Sequence, residues 1–248
     1  MLTVRILKLL GATLVALLAL AVPAEAQSLN LDFGDGGSAT GRIVQIVALM
    51  AILSLAPSIL IMVTSFVRIV VVLSFLRTAM GAQQTPPNAV LVSLALFMTF
   101  FIMQPTLETA YETGIAPLIE EKIDEETALK LTIKPFHSFM LKHVREKDLE
   151  LFMGLAKVET VPTVEDTPLR ALIPAFMISE LRRAFEIGFL LFVPFLMIDI
   201  VIASVLMSMG MLMLPPILIS LPFKLIFFVL VDGWYLVAGS LTQSFGPL

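Results

Sequence analysis

The sequence has 248 residues, of which 58% are hydrophobic and 15% are charged. A soluble domain usually has about a quarter of its residues charged, so this composition predicts a membrane protein. The net charge of −4 comes with no basic run, which excludes an electrostatic nucleic-acid interface. The sequence contains no cysteine, so it forms neither a disulfide nor a thiolate metal site.

Residues 1–26 have the order of a secretory signal: basic Arg5 and Lys8, an apolar run, and then small residues ending at Ala26. The apolar run is shorter than the ~20 residues that a membrane span needs. We therefore predict a cleavable signal peptide with cleavage after Ala26, rather than a first membrane anchor. Residues 27–42, rich in Gly, Asp and Ser, are predicted to be a flexible leader.

The next apolar stretch, from Ile43 to Leu76, is too long for one straight membrane span. At ~1.5 Å per residue it exceeds the ~30 Å hydrocarbon layer, so we expect the helix to kink at Pro57, to tilt, or to project beyond the bilayer. Pro86-Pro87-Asn88 is typical of a turn, and the second apolar segment is predicted to end at Pro105. Residues 43–105 should form a first hydrophobic helical hairpin.

Residues 106–170 are the polar part of the chain. From Thr106 to Pro168 there are 13 Asp and Glu residues against 7 Lys and Arg residues. Basic residues lie instead near the preceding loop, which favours a periplasmic position for the polar domain. The apolar spacing predicts an amphipathic helix from Phe136 to Leu155. Its apolar side would consist of Leu141, Val144, Leu149 and Phe152.

Residues 171–248 contain two more apolar segments, from Ile187 to Met207 and from Met211 to Val231, joined by an uncharged turn. We predict a second hydrophobic helical hairpin followed by a tail. The hydropathy pattern gives four spans, and an exported N-terminus would then place both ends of the mature chain outside the cytoplasm.

The residue patterns of common catalytic and metal sites are absent from the sequence. His137 and His143, the only histidines, are six residues apart, which is not the spacing that directs two imidazoles to one metal on a helix. There is no Gly-x-Ser-x-Gly motif and no phosphate-binding glycine loop. We therefore expect no enzyme activity, no metal site and no cofactor.

Charged residues in or beside the apolar segments are expected to be buried in protein or to face a neighbouring subunit, because a charge at the bilayer centre costs at least ~2.5 kcal/mol. They are Arg68, Glu180, Arg183, Glu186, Asp199 and Lys224.

Spacing suggests partners for several of these charges. Glu180 and Arg183 are three residues apart, and Glu186 is four residues after Arg182, so both pairs have the spacing of helical ion pairs. A plain interfacial helix start is the alternative interpretation of this run. The isolated Asp199 and Lys224 lie in consecutive apolar segments, and we predict a pair between them, within the chain or between subunits.

Four methionines occupy the seven residues from Met207 to Met213, between the last two apolar segments. Methionine is unbranched and adaptable, so this turn suits a flexible seal around a pore. It suits core filling near a helix end equally well, and composition does not separate the two interpretations.

Three segments resemble the flagellar biosynthetic protein P family: Pro174 to Phe189, Met207 to Pro216, and Leu221 to Trp234. The resemblance extends to the signal sequence, the Pro86-Pro87-Asn88 turn and the acidic region, so it covers essentially the whole chain. It implies an all-α, membrane-associated fold of kinked helical hairpins with an extra-cytoplasmic helical domain, assembled as a right-handed helical ring.

The same resemblance implies a pore-forming core subunit of the flagellar type III protein export gate, in the inner membrane at the flagellar basal body. About five copies would combine with the Q and R family proteins and other gate components to conduct unfolded flagellar subunits, without enzyme activity. The family's methionine gasket corresponds to Met209, Met211 and Met213. Relatives commonly have three consecutive methionines there, whereas this sequence has Leu212 in the middle.

Two other functions compete with this interpretation. A subunit of a virulence type III injectisome would have the same mechanism with different cargo, and the signal sequence favours the flagellar version. A small-solute transporter or channel is disfavoured, because the sequence has no evident internal repeat and no obvious substrate-coordinating pair in its spans.

Overall fold

The computed structural model describes residues 39–82, 84–158, 163–211 and 213–246, and in these ranges it contains helices and no strand. The helices are α1 (Ala39–Met62), α2 (Phe66–Ala79), α3 (Asn88–Ala110), α4 (Ala116–Ile119), α5 (Glu125–His143), α6 (Glu146–Leu155), α7 (Leu169–Ser208), α8 (Pro216–Leu230) and α9 (Gly233–Gln243). The predicted all-α class is confirmed. The predicted signal peptide and its cleavage at Ala26 lie outside the described residues.

The chain divides into two compact units, residues 1–52 and 53–248. In the first unit the described residues belong to α1, which begins at Ala39 and presents exposed apolar side chains such as Ile43 and Met50. The flexible leader predicted over 27–42 therefore ends earlier than expected. The helix begins four residues before Ile43, the first large apolar side chain.

The long apolar stretch is interrupted at Val63-Thr64-Ser65, in the second unit, whereas α1 continues through Pro57. The Thr64 hydroxyl donates to the Ile61 carbonyl (3.3 Å) and accepts from the Phe66 N–H (3.4 Å). This side chain thus replaces helical backbone bonds, as Ser and Thr do near helix ends. The stretch is therefore interrupted at hydroxyl residues and not at Pro57, whereas tilting and projection beyond the bilayer stay predictions.

The prediction that the second apolar helix ends at Pro105 is wrong. Helix α3 continues through this proline to Ala110, and a π-helical turn, Tyr111–Ile115, connects it to α4. Proline removes its own N–H donor and crowds the carbonyl one turn earlier, but it leaves its own carbonyl free to accept. The Pro105 carbonyl still accepts, including from the Thr109 hydroxyl at 2.8 Å, so the helix is maintained beyond it.

The prediction of a single amphipathic helix from Phe136 to Leu155 is also wrong, because the structure has two helices there. Val144 and Arg145 are extended and separate α5 from α6. The Arg145 N–H donates to the Ser179 hydroxyl (3.0 Å) of α7, a tertiary bond that continuing the helix would prevent. The predicted apolar side is nevertheless largely present, since Leu141, Val144 and Leu149 all pack on one buried cluster. That cluster is Val63, Met140, Leu172 and Phe176.

The main core is built around α2, and buried residues of α3, α7, α8 and α9 belong to the same cluster. Ile69, Val72 and Leu76 of α2 are fully covered. Gly188 lets α7 approach α2, because a Cβ atom there would lie 2.6 Å from the Phe75 ring. This close packing places Arg68 of α2 and Glu180 of α7 in one interior.

Two helical segments within the described ranges are long and apolar enough to cross a membrane: Asn88–Ile119 and Leu169–Ser208. Two bent pairs, α1 with α2 and α8 with α9, raise the number to four if each pair is one span. The predicted four spans correspond to this upper number.

Candidate functional site

Arg68 of α2 and Glu180 of α7 form an ion pair in the core, with residue exposures of 2% and 0%. Arg68 Nε donates to Glu180 Oε2 at 2.8 Å, and Nη2 donates to Oε1. Nη1 donates to the carbonyl (3.0 Å) and hydroxyl (2.9 Å) oxygens of Ser244, and the Phe245 ring covers the guanidinium at 3.7 Å. A two-point pair with its remaining donors satisfied is the geometry that a buried charge needs.

This arrangement differs from the local pairing suggested by the sequence. Glu180 bonds to Arg68 rather than to Arg183, because Glu180 faces α2 while Arg183 lies on the exposed side of α7. Arg182 Nε does donate to Glu186 Oε1 at 2.9 Å, on the surface. Arg183 and Glu186 are both exposed in the single chain, so their role between subunits stays a prediction.

Lys224 of α8 and Asp199 of α7 form a second interior pair. Lys224 Nζ donates to Asp199 Oδ2 at 2.6 Å and to the Ala79 carbonyl at 3.2 Å. The Ser220 hydroxyl donates to Asp199 Oδ1. The structure thus contains this pair within one chain, the first of the two arrangements considered from sequence. It joins α8 and α7 to the last residue of α2.

Ser179, next to Glu180, was not identified by sequence reasoning. Its hydroxyl accepts from the Arg145 N–H and donates to Asp148 Oδ2 at 2.7 Å. Two consecutive side chains of α7 therefore form hydrogen bonds with different elements. Ser179 bonds to the junction of α5 and α6, and Glu180 bonds to α2. A serine in an otherwise charged run gives no sequence signal for this role.

The methionine turn, residues 207–213 between α7 and α8, is exposed in the single chain. Met209 is 62% exposed, Met211 42% and Met213 97%. Gly210 adopts a positive φ of +75° at the turn, which favours glycine. These methionines therefore do not fill the core of this chain, and Leu212 lies outside the described residues.

Neither histidine lies beside a set of metal-ligating side chains. His137 Nε2 contacts the Thr167 carbonyl at 2.7 Å, and His143 Nδ1 contacts the Phe139 carbonyl at 2.8 Å. Across the described ranges, no group of three or more His, Cys, Asp or Glu residues is placed to hold a metal ion.

Over the described residues, the structure is therefore all-helical, with helices long and apolar enough to cross a membrane. Two ion pairs lie in its interior, and apolar helix faces and a methionine turn are exposed. The sequence profile of the FliP family matches residues 49–241, which is more than half of the chain.

Relatives match over most of their length. The flagellar biosynthetic protein FliP of Caulobacter vibrioides is 58% identical over 240 residues, covering 97% of this chain and 90% of that protein. The FliP of Bacillus subtilis is 54% identical over 202 residues, covering 82% and 91%. The FliP of Aquifex aeolicus is 49% identical over 219 residues, covering 88% and 91%.

The chain belongs to the FliP family, and the resemblance found in the sequence is confirmed. It is a membrane-associated component of flagellar biosynthesis.

Proposed function

We propose that this chain is a pore-forming subunit of the flagellar type III protein export gate in the bacterial inner membrane, at the flagellar basal body. About five copies would assemble with Q and R family proteins into a right-handed helical ring. Unfolded flagellar subunits would pass through it, and the chain itself would catalyse no reaction. The flagellar names of relatives at 49–58% identity support a flagellar rather than an injectisome role.

The distribution of apolar surface supports an assembly. Large side chains are exposed along α7 and α8, including Phe189 (69%), Leu190 (68%) and Leu230 (80%). Surfaces of this extent need lipid or protein to cover them. Because the chain already pairs its interior charges, these faces are free to pack against sister subunits.

The exposed methionine turn is the observation that carries the proposal. Met213 is 97% exposed, although methionine is an apolar residue that proteins usually bury. A ring of such turns from several copies would place soft, adaptable side chains around an axial opening. They would close on one another when the pore is empty and around a chain in transit.

The polar domain is proposed to be periplasmic. Acidic residues outnumber basic ones 13 to 7 between Thr106 and Pro168, while Arg77 lies near the loop between α2 and α3. A basic residue beside a short loop favours the cytoplasmic side for that loop. The polar domain, one span further along, would then be outside.

The test replaces Met209, Met211 and Met213 together with alanine. We expect increased ion leakage through assembled gates, because alanine leaves the opening unfilled, while assembly persists. Conductance across membranes containing the gate measures the leak, and native gels measure the assembly.

The matched control is Met197→Ala, since Met197 is also an exposed methionine of α7 (55%) but lies away from the turn. This variant should leave conductance at the wild-type value. Unchanged conductance in the triple variant, with assembly intact, would contradict the gasket.

A further inference from the structure

Residues Ser244–Gly246, which follow α9, lie between the core and helix α5, and we call them the tail strap. On the core side, Ser244 accepts two hydrogen bonds from Arg68 Nη1, and the Phe245 ring covers the guanidinium. On the other side, the Phe245 ring stacks on Phe139 of α5, with 6.2 Å between the ring centroids. The tail strap therefore contacts both the buried ion pair and the polar domain.

His143, the last residue of α5, has a carbonyl oxygen beside each of its ring nitrogens. Nδ1 lies 2.8 Å from the Phe139 carbonyl oxygen, one turn earlier on the same helix. Nε2 lies 3.3 Å from the Phe245 carbonyl oxygen of the tail strap. The imidazole also lies against both aromatic rings, with its centroid 4.5 Å from that of Phe139 and 5.4 Å from that of Phe245. This side chain thus connects α5 to the tail strap.

The protonated imidazole satisfies both of these contacts, and the neutral imidazole satisfies one. A carbonyl oxygen accepts hydrogen bonds and donates none, while neutral imidazole has one N–H and one bare nitrogen. In either neutral tautomer, one of the two contacts therefore brings two lone pairs together. The imidazolium has two N–H groups and donates to both oxygens, in bonds that its charge strengthens.

The charged groups around His143 oppose one another. Glu180 of α7 interacts electrostatically with the ring and favours its protonation, but this carboxylate is already paired with Arg68 of α2. Lys134 and Lys142 of α5 line the same groove as His143 and disfavour another positive charge. The α3 side of that groove has only apolar and hydroxyl side chains. The two carbonyl contacts therefore distinguish the protonated ring from the neutral one.

We propose that the tail strap binds α5 in a pH-dependent way, held by protonated His143 and released when the ring is neutral. The neutral ring would keep its shorter contact, within α5, and lose the longer one, to Phe245. A contact that favours the protonated ring is strengthened as the pH falls and lost as the pH rises. Histidine ordinarily changes charge between about pH 5 and about pH 8. Release would also withdraw Ser244 and Phe245 from Arg68.

The test measures hydrogen exchange of the tail strap in the full chain in mild detergent, at about pH 5 and about pH 8. The Phe245 and Gly246 N–H groups donate to the Thr242 and Gln243 carbonyls at 3.2 and 3.0 Å, so their exchange reports opening. Each rate is divided by the rate for unstructured peptide at the same pH, which removes the intrinsic effect of pH.

We expect the protection of these amides in the wild type to fall about fivefold between the lower and the higher pH, the effect of losing one hydrogen bond. Equal protection at the two pH values would overturn the proposal without using any variant.

The two histidines of the chain provide a matched pair of variants. His143→Gln cannot gain a charge, so protection of the tail strap should be the same at both pH values. The control is His137→Gln, since His137 Nε2 contacts the Thr167 carbonyl at 2.7 Å. It should keep the fivefold change of the wild type.

A pH effect that persists in His143→Gln, or disappears in His137→Gln, would overturn the proposal. The proposed contact lies within one chain and is independent of the pore. Because hydrogen exchange measures neither conductance nor assembly, failure here is distinct from failure of the proposed function.

Discussion

Both interior ion pairs neutralise charges within apolar helices, but the two pairs are buried to different extents. Arg68 and Glu180 are sealed, bonded at two points, and covered by Phe245 and the tail. Lys224 and Asp199 meet at one point, and the Asp199 side chain is 23% exposed. The first pair is therefore almost fully enclosed by this chain, while the second is partly open in the single chain. Their energetic roles should differ accordingly.

The largest effect is expected at the sealed pair. Glu180→Gln leaves the Arg68 guanidinium buried without a counter-charge, and breaking a buried pair in this way costs about 3–5 kcal/mol. Thermal unfolding of the purified chain in detergent, followed by circular dichroism, measures the loss.

The control for this variant is Glu186→Gln, which breaks the exposed pair with Arg182 on the same helix. Surface pairs contribute about 0–1 kcal/mol. If the two variants unfold at the same temperature, the sealed pair is not a major source of stability.

A smaller effect is expected at the partly exposed pair. Asp199→Asn, which removes only the charge of the pair, should cost about 1.5–3 kcal/mol, the range for hydrogen bonds to charged groups. Asp199→Lys or Lys224→Asp also brings like charges together, and each should impair assembly. The double exchange should recover most of the loss, because the pair re-forms with reversed polarity. Assembly yield on native gels measures the recovery, and absence of rescue would argue against direct pairing.

The smallest effect is expected outside both pairs, at the N-terminus of α5. The Asp124 side chain accepts a hydrogen bond from the Thr127 N–H (3.4 Å). Hydrogen bonding with the Thr127 side chain, supported by backbone N–H groups of the first turn, lowers the pKa of Asp124 from its ordinary value of 3.8. A lowered pKa in the folded state stabilises the helix above pH 3.8, and this contribution is lost as the pH falls through the folded-state value.

Hydrogen exchange in the first turn of α5 measures this effect. Asp124→Asn caps the helix without titrating, so the ratio of exchange rates in wild type and variant should rise below pH 3.8. A ratio that is constant with pH would show that the Asp124 carboxylate does not stabilise the turn.

The sequence was sufficient to predict the partners of one ion pair, Asp199 and Lys224, but not those of the other. Asp199 and Lys224 are isolated charges in consecutive apolar segments, so each indicates the other as its partner. Glu180 has basic neighbours on its own helix, whereas its partner Arg68 is 112 residues away. Local spacing therefore favoured Arg183, and only the packing of α2 on α7 shows the true partner.

Helix boundaries were predicted less well, for a related reason. Proline is a strong local signal for a helix end, yet helices continue through Pro57 and Pro105. The helical structure is instead interrupted at Thr64 and at Val144-Arg145. At the second site the interruption depends on a bond to Ser179. Such tertiary bonds have no signature in a local pattern. By contrast, the turn predicted at Ser208-Met209-Gly210 from the break between two apolar segments lies at the end of α7, and the role of its methionines stays a prediction.

The central claim is that several copies of this chain surround a conduit lined at its narrowest point by the methionine turn. Electron cryomicroscopy of the complex extracted in mild detergent tests it most directly. We expect a ring of copies whose α7 and α8 faces contact sister subunits, with Met209, Met211 and Met213 at the axial constriction. A stable single copy, with these methionines facing detergent and no axial opening, would contradict the claim.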